Sequence, residues 1–175
     1  MKLDRILIPL DGSTLAESAI AKAVELSAPE TTLMLVRAAE AHTLPGADPE
    51  HAQVEIVREA EEYLAAVATR LREQRANRVE TSVWYGPASS AIVEAARLKS
   101  ADLIVMSTHG RTGIGRLILG SVAESVLRGT TIPILLLRAP DAPVEAPTNL
   151  GKARPTKETS RRSQPELTGE RRRTS

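Results

Sequence analysis

Aliphatic residues fall along this chain in short unbroken runs that alternate with longer stretches of helical periodicity. Asp4 to Leu10 (DRILIPL) is one such run and ends in Asp11, Gly12 and Ser13; beyond it Leu15, Ala19, Ala23 and Leu26 recur at helical spacing, which predicts strand, turn and helix. Thr31 to Val36 predicts a second strand. A loop with His and Pro runs from Ala41 to Pro49, after which Val54, Val57, Tyr63, Leu64, Val67 and Leu71 share one face of a second helix. Val79 to Tyr85 alternates as a strand, Gly86 and Pro87 turn the chain, and Ile92, Val93, Ala96 and Leu98 mark a short helix over Ala91 to Lys99. Asp102 to Met106 (DLIVM) reads as the most buried strand. A glycine-rich turn follows, then a helix from Ser121 to Arg128 closed by Gly129, and a last strand from Ile132 to Leu137.

Strands that read as continuous apolar runs and alternate with helices indicate a parallel sheet covered on both faces. The fold class expected is therefore α/β: a single doubly wound domain over residues 1–139, with five strands and four helices. Past Arg138 the composition changes, with Pro140, Pro143, Pro147, Pro155 and Pro165 interrupting a stretch poor in large apolar side chains. Such a segment buries too little surface to offset the entropy of ordering, so residues 140–175 are expected to be a disordered tail. That tail is basic, with 8 Lys and Arg against 5 Asp and Glu, which leaves 15 against 17 in the body.

Composition removes several classes of function. Cysteine is absent, so disulfide frameworks and thiolate metal sites are excluded and a cytoplasmic location is expected. The amino-terminal run is short and carries Lys2, Asp4 and Arg5, which argues against a signal sequence or a membrane span. With aromatics at 2% and no Phe, a base-stacking surface for single-stranded nucleic acid is disfavoured, and the near-neutral body gives no footprint for DNA.

The candidate chemistry lies between Ser107 and Val122. Gly110, Gly113 and Gly115 follow a buried strand and permit close backbone approach to an anion, while Ser121-Val122-Ala123-Glu124 reads as a capping box that starts a helix beside the same loop. The spacing is neither a Walker A motif nor a dinucleotide fingerprint. Arg111 and Arg116 are candidate phosphate contacts. His109 has no sequence partner that would make a catalytic triad, and His42 and His51 lack zinc-site spacing. Asp11 reads equally as a turn residue ahead of a Ser13 cap. Trp84 and Tyr85 are expected in core or interface packing, not in cofactor binding.

The phrases ILIPLDGS, VWYGPASSAIVEAA and MSTHGRTGIGRLILGSVAESVLR together resemble the universal stress protein family, over about residues 2–138. The family's ATP-binding branch carries glycine, two residues, glycine, nine residues, then glycine followed by serine or threonine; here the first of these positions is Ser107. The resemblance implies sheet order 3-2-1-4-5 and a ligand at the switch point between the first and fourth strands. It implies that Pro9, Asp11 and Val36 line the adenine and ribose end, and that Met106, Ser107, His109 and Gly110 surround the ribose and first phosphate. Gly120, Ser121 and Val122 would meet the terminal phosphates. The implied ligand is ATP, with Mg²⁺ or Mn²⁺ held through its phosphates, in a homodimer formed through the last strand. The expected role is a nucleotide-dependent regulator in stress response, at most a very slow ATPase. The alternative is a dimeric interaction module of the same fold that binds no nucleotide.

Overall fold

The structure, a computed structural model, describes residues 2–40, 49–74, 78–108 and 120–138. These form β1 (Arg5–Pro9), α1 (Thr14–Leu26), β2 (Thr32–Ala39), α2 (Pro49–Gln74), β3 (Arg78–Tyr85), α3 (Ala88–Leu98), β4 (Leu103–Thr108), α4 (Ser121–Gly129) and β5 (Ile134–Arg138). The five strands make one sheet in the order β3-β2-β1-β4-β5, and every pairing is parallel.

Alternation along each strand sends side chains to opposite faces, and both faces are apolar because both carry helices. On one face Ile6, Ile8, Leu33, Leu35, Leu103 and Val105 pack with Ala19 and Ala23 of α1 and with Leu64, Val67 and Ala68 of α2. On the other, Leu7, Met34, Val36, Ile104 and Met106 pack with Ile92, Ala95 and Ala96 of α3 and Ala123 and Val126 of α4. Central β1 is buried from both sides, with Ile6, Leu7 and Ile8 fully enclosed. Each such side chain contributes about 1.5–3 kcal/mol by leaving water.

The arrangement of helices follows from right-handed crossovers. The chain steps from β1 to β2 to β3 with α1 and α2 on one face. It then returns across β1 to β4 and β5, which puts α3 and α4 on the other. At the amino end of the sheet the Asp102 carboxylate accepts the amide N–H groups of Asp4 and Arg5 at 2.9 and 2.8 Å, pinning the start of β1 to β4.

Most predicted elements recur with shifted ends. β2 runs on to Ala39 and β4 to Thr108, past the expected ends at Val36 and Met106, so Ser107 and Thr108 belong to the strand and not to the turn. α3 begins at Ala88, directly after Pro87, and β5 starts at Ile134, after Pro133. Trp84 packs against the α3 and α4 side, whereas Tyr85 is 61% exposed.

Candidate functional site

The register opens a crevice at the point where the chain reverses. β1 pairs with β4 through Ile6–Leu103 and Leu7–Ile104, whereas its pairing with β2 continues to Pro9–Val36. Pro9 has no N–H to extend a ladder, and the next amide, Leu10 N–H, donates to the Val36 carbonyl at 2.8 Å. The end of β1 therefore stays with β2 and leaves a gap on the β4 side.

A cavity of about 830 Å³ occupies that gap. Pro9, Leu10 and Asp11 form one wall; Val36, Arg37 and Ala38 close the β2 end; Met106, Ser107 and Thr108 bound it from β4; Gly120 to Ala123 bring in the first turn of α4; and Ala88 and Ile92 contribute from α3. Its size falls in the range of small-molecule sites. Of the residues expected from sequence, Pro9, Asp11, Val36, Met106, Ser107, Gly120, Ser121 and Val122 all line it. His109, Gly110 and Arg111 lie outside the described residues, as do Arg116 and the tail expected over 140–175.

Local chemistry explains each wall. After β1, Gly12 adopts φ +90°, a left-handed conformation that suits glycine, and lets the chain turn into α1. Asp11 Oδ1 accepts the Ser13 N–H at 2.9 Å, and Ser13 Oγ accepts the Ala16 N–H at 3.0 Å to cap α1. Asp11 is thus a turn residue and a cavity residue together. Val36 is buried, and its carbonyl keeps a second lone pair beyond the bond to Leu10. Ser107 is half-buried within β4, opposite Leu137. Among described non-glycine residues only Ser100 has positive φ, so the path through position 107 needs no glycine.

The start of α4 differs from the capping box expected. Gly120 is the cap, with no side-chain hydrogen bond, and its carbonyl accepts the Glu124 N–H at 2.9 Å. Ser121 is the first helical residue. Glu124 does not reach back; its Oε1 accepts from Arg128 at 2.8 Å, one turn along the helix. The Gly120 amide donates to Thr108 Oγ1 at 3.1 Å, so at this helix start the amides of Ser121, Val122 and Ala123, ahead of the first intrahelical bond at Glu124, are the ones left without an intrahelical acceptor.

Of the lining residues outside the expected set, two carry polar side chains. Thr108 is one. Arg37 is the other: its guanidinium stacks over Tyr63 at 5.0 Å from the ring centroid, pairs with Glu59 at 3.3 Å, and would stand 3.9 Å from a Cβ at Gly12. Tyr63 in turn donates to Glu17 Oε1 at 3.0 Å, and Arg70 pairs with Glu17 Oε2 at 2.8 Å. Burial, and then the hydrogen bond to the Glu17 carboxylate, push the Tyr63 phenol up to about 12. A charged side chain after the aliphatic run Thr32 to Val36 was the available signal for Arg37.

Residues 2–138 match the universal stress protein family profile. Universal stress protein MJ0531 of Methanocaldococcus jannaschii is 33% identical over 140 residues, covering 78% of this chain and 82% of that protein. Universal stress protein Rv2005c of Mycobacterium tuberculosis is 34% identical over 137 residues, covering 76% of this chain; the chain spans only 45% of that longer relative. In fold, the hypothetical protein MJ0577 superimposes with TM-score 0.68 at 23% identity, over 81% of this chain and all of the other. A universal stress protein in complex with cAMP gives 0.55 at 22% identity, over 78% of this chain and 98% of the other. A family member from Arabidopsis thaliana with AMP bound gives 0.55 at 11% identity, over 77% of this chain and 90% of the other.

Proposed function

Because this chain belongs to the universal stress protein family over residues 2–138, we propose that it binds an adenine nucleotide, ATP foremost, in the crevice between β1 and β4 and acts as a nucleotide-dependent regulator in stress response. The observation that carries the reading is the meeting of separate sequence segments, around Asp11, around Val36, from Met106 to Thr108 and from Gly120 to Ala123, on one cavity of nucleotide size. Two fold relatives were crystallised with adenine nucleotides, cAMP in one and AMP in the other, which agrees in ligand class.

In this reading Pro9 and the buried, apolar Val36 receive the base, Asp11 meets the base or ribose, and Met106 and Ser107 border the ribose and first phosphate. The first turn of α4, with an uncapped amino end and the Ser121 hydroxyl, meets the phosphates, together with His109, Gly110 and Arg111. Among the described residues no group of three or more His, Asp and Glu stands together, so Mg²⁺ or Mn²⁺ would be held through the phosphates. The carboxylate on the first turn of α4, Glu124, is paired with Arg128 and unsuited to activating water, which favours holding ATP over hydrolysing it. Ile134 to Leu137 are half-buried on an edge strand, which supports pairing with a second copy through β5. No described helix is long and apolar enough to cross a membrane, in keeping with a cytoplasmic role.

The test is copurification. Nucleotide released from the purified protein should be an adenine nucleotide, and Gly120→Leu should abolish it. Retention of the same nucleotide by Gly120→Leu would remove this crevice as the site.

A further inference from the structure

A threonine hydroxyl carries one proton and two lone pairs. Thr108 ends β4 with only 8% of its surface exposed, and its Oγ1 accepts the Gly120 amide at 3.1 Å across twelve residues of chain. That bond ties the end of β4 to the cap of α4 and so fixes where the Ser121 and Val122 amides stand. It uses a lone pair and leaves the proton. No acceptor among the described residues takes that proton, and the residue lines the cavity at the point where β4 and α4 meet. A buried donor left without an acceptor is costly, and an anion in the cavity would supply one.

We propose that Thr108 is a phosphate-positioning residue: it latches Gly120 by accepting its N–H and donates its own hydroxyl proton to the anionic end of the ligand. The proposal rests on the nucleotide reading of the crevice and adds to it a residue outside the set expected from sequence. It also divides the labour at the start of α4. Gly120 is tied to the end of β4, while the Ser121 and Val122 amides and the Thr108 hydroxyl face the anion. Nearness to α4 makes the effect specific to phosphate; the base end, at Val36 and Ala38, lies on the far side of β1 in the sheet.

Thr108→Val keeps the shape of the side chain and removes both hydrogen bonds, whereas Thr108→Ser keeps both. Calorimetric titration of each full-length protein with ATP and, separately, with adenosine reads the phosphate end against the base end. Thr108→Val should weaken ATP by roughly 10- to 100-fold, the size of a lost hydrogen bond to a charged group, and leave adenosine unchanged. Thr108→Ser should bind ATP within about threefold of wild type. Equal weakening of ATP and adenosine in Thr108→Val, or a Thr108→Ser as weak as Thr108→Val, would overturn the proposal. Amide hydrogen exchange of the ligand-free protein tests the latch by itself. Gly120 N–H should be protected in wild type and Thr108→Ser, and should exchange at least about tenfold faster in Thr108→Val. Unchanged exchange would overturn the latch. A wild type that binds neither ATP nor adenosine would instead overturn the nucleotide reading, and with it the phosphate role, whatever the exchange shows.

Discussion

Gly12 carries the turn between β1 and α1, and with it the placement of Asp11. Its φ of +90° strains any residue with a Cβ, although the nearest side-chain atoms, those of Arg37, leave ordinary contact room at 3.9 Å. Gly12→Ala should therefore destabilise the protein by about 1 kcal/mol through backbone strain, read as a lower denaturant midpoint at unchanged slope. An unchanged midpoint would mean that the turn relaxes freely. Residues of this kind were legible in the sequence: Asp11-Gly12-Ser13 after an aliphatic run announces its own turn, because each preference is local. Thr108 and Arg37 were not. The partner of Thr108 is twelve residues away, and Arg37, although its charge stands out after an aliphatic run, meets Tyr63 and Glu59 on another element, so no local pattern shows what either touches. Position 107 shows the opposite case. Serine there departs from the glycine of the ATP-binding branch, yet the backbone lies in β4, where any residue fits.

Elements were predicted well in type and less well at their ends. Periodicity reports burial, and Arg37 and Ala38 of β2 and Ser107 and Thr108 of β4 line a cavity at the edge of the packed core, where the pattern fades. The start of α4 illustrates a second cause. Ser121 and Glu124 have capping-box spacing, but Gly120 is held by Thr108 one residue earlier, and Glu124 finds Arg128 instead. Contacts between elements add a pH response that no sequence pattern carries. Tyr63 of α2, hydrogen-bonded to Glu17 of α1, holds its proton more tightly folded, at about 12, than unfolded, at about 10. Its contribution to stability is whole below pH about 10 and is lost as pH rises through about 12. Between these limits the melting temperature of wild type should fall more steeply than that of Tyr63→Phe, measured side by side. Parallel curves would show that burial and the Glu17 bond do not hold the phenol neutral.

At the scale of the whole molecule, sheet order places the cavity. Reversal of the chain across β1 leaves β1 and β4 as neighbours whose connections run to opposite faces, and the only ladder pairs between them lie at their amino-terminal halves. Order 3-2-1-4-5 followed from family resemblance; strand periodicity alone fixes parallel pairing but not which strands are neighbours. The β5 edge makes a further claim at this scale. Its four apolar residues are half-buried in a single chain, so sedimentation equilibrium should find two chains per particle, and Leu136→Lys should shift the equilibrium toward one. A wild type that sediments as one chain would contradict it. The central claim is met most directly by calorimetry on nucleotide-stripped protein with Mg²⁺ present, titrating ATP and then AMP. The account predicts saturable binding, with ATP well below millimolar and tighter than AMP because phosphate contacts at Ser121, Val122 and Thr108 add to those at the base. Absence of heat with both nucleotides, and of any thermal stabilisation, would contradict it and turn attention to a protein partner.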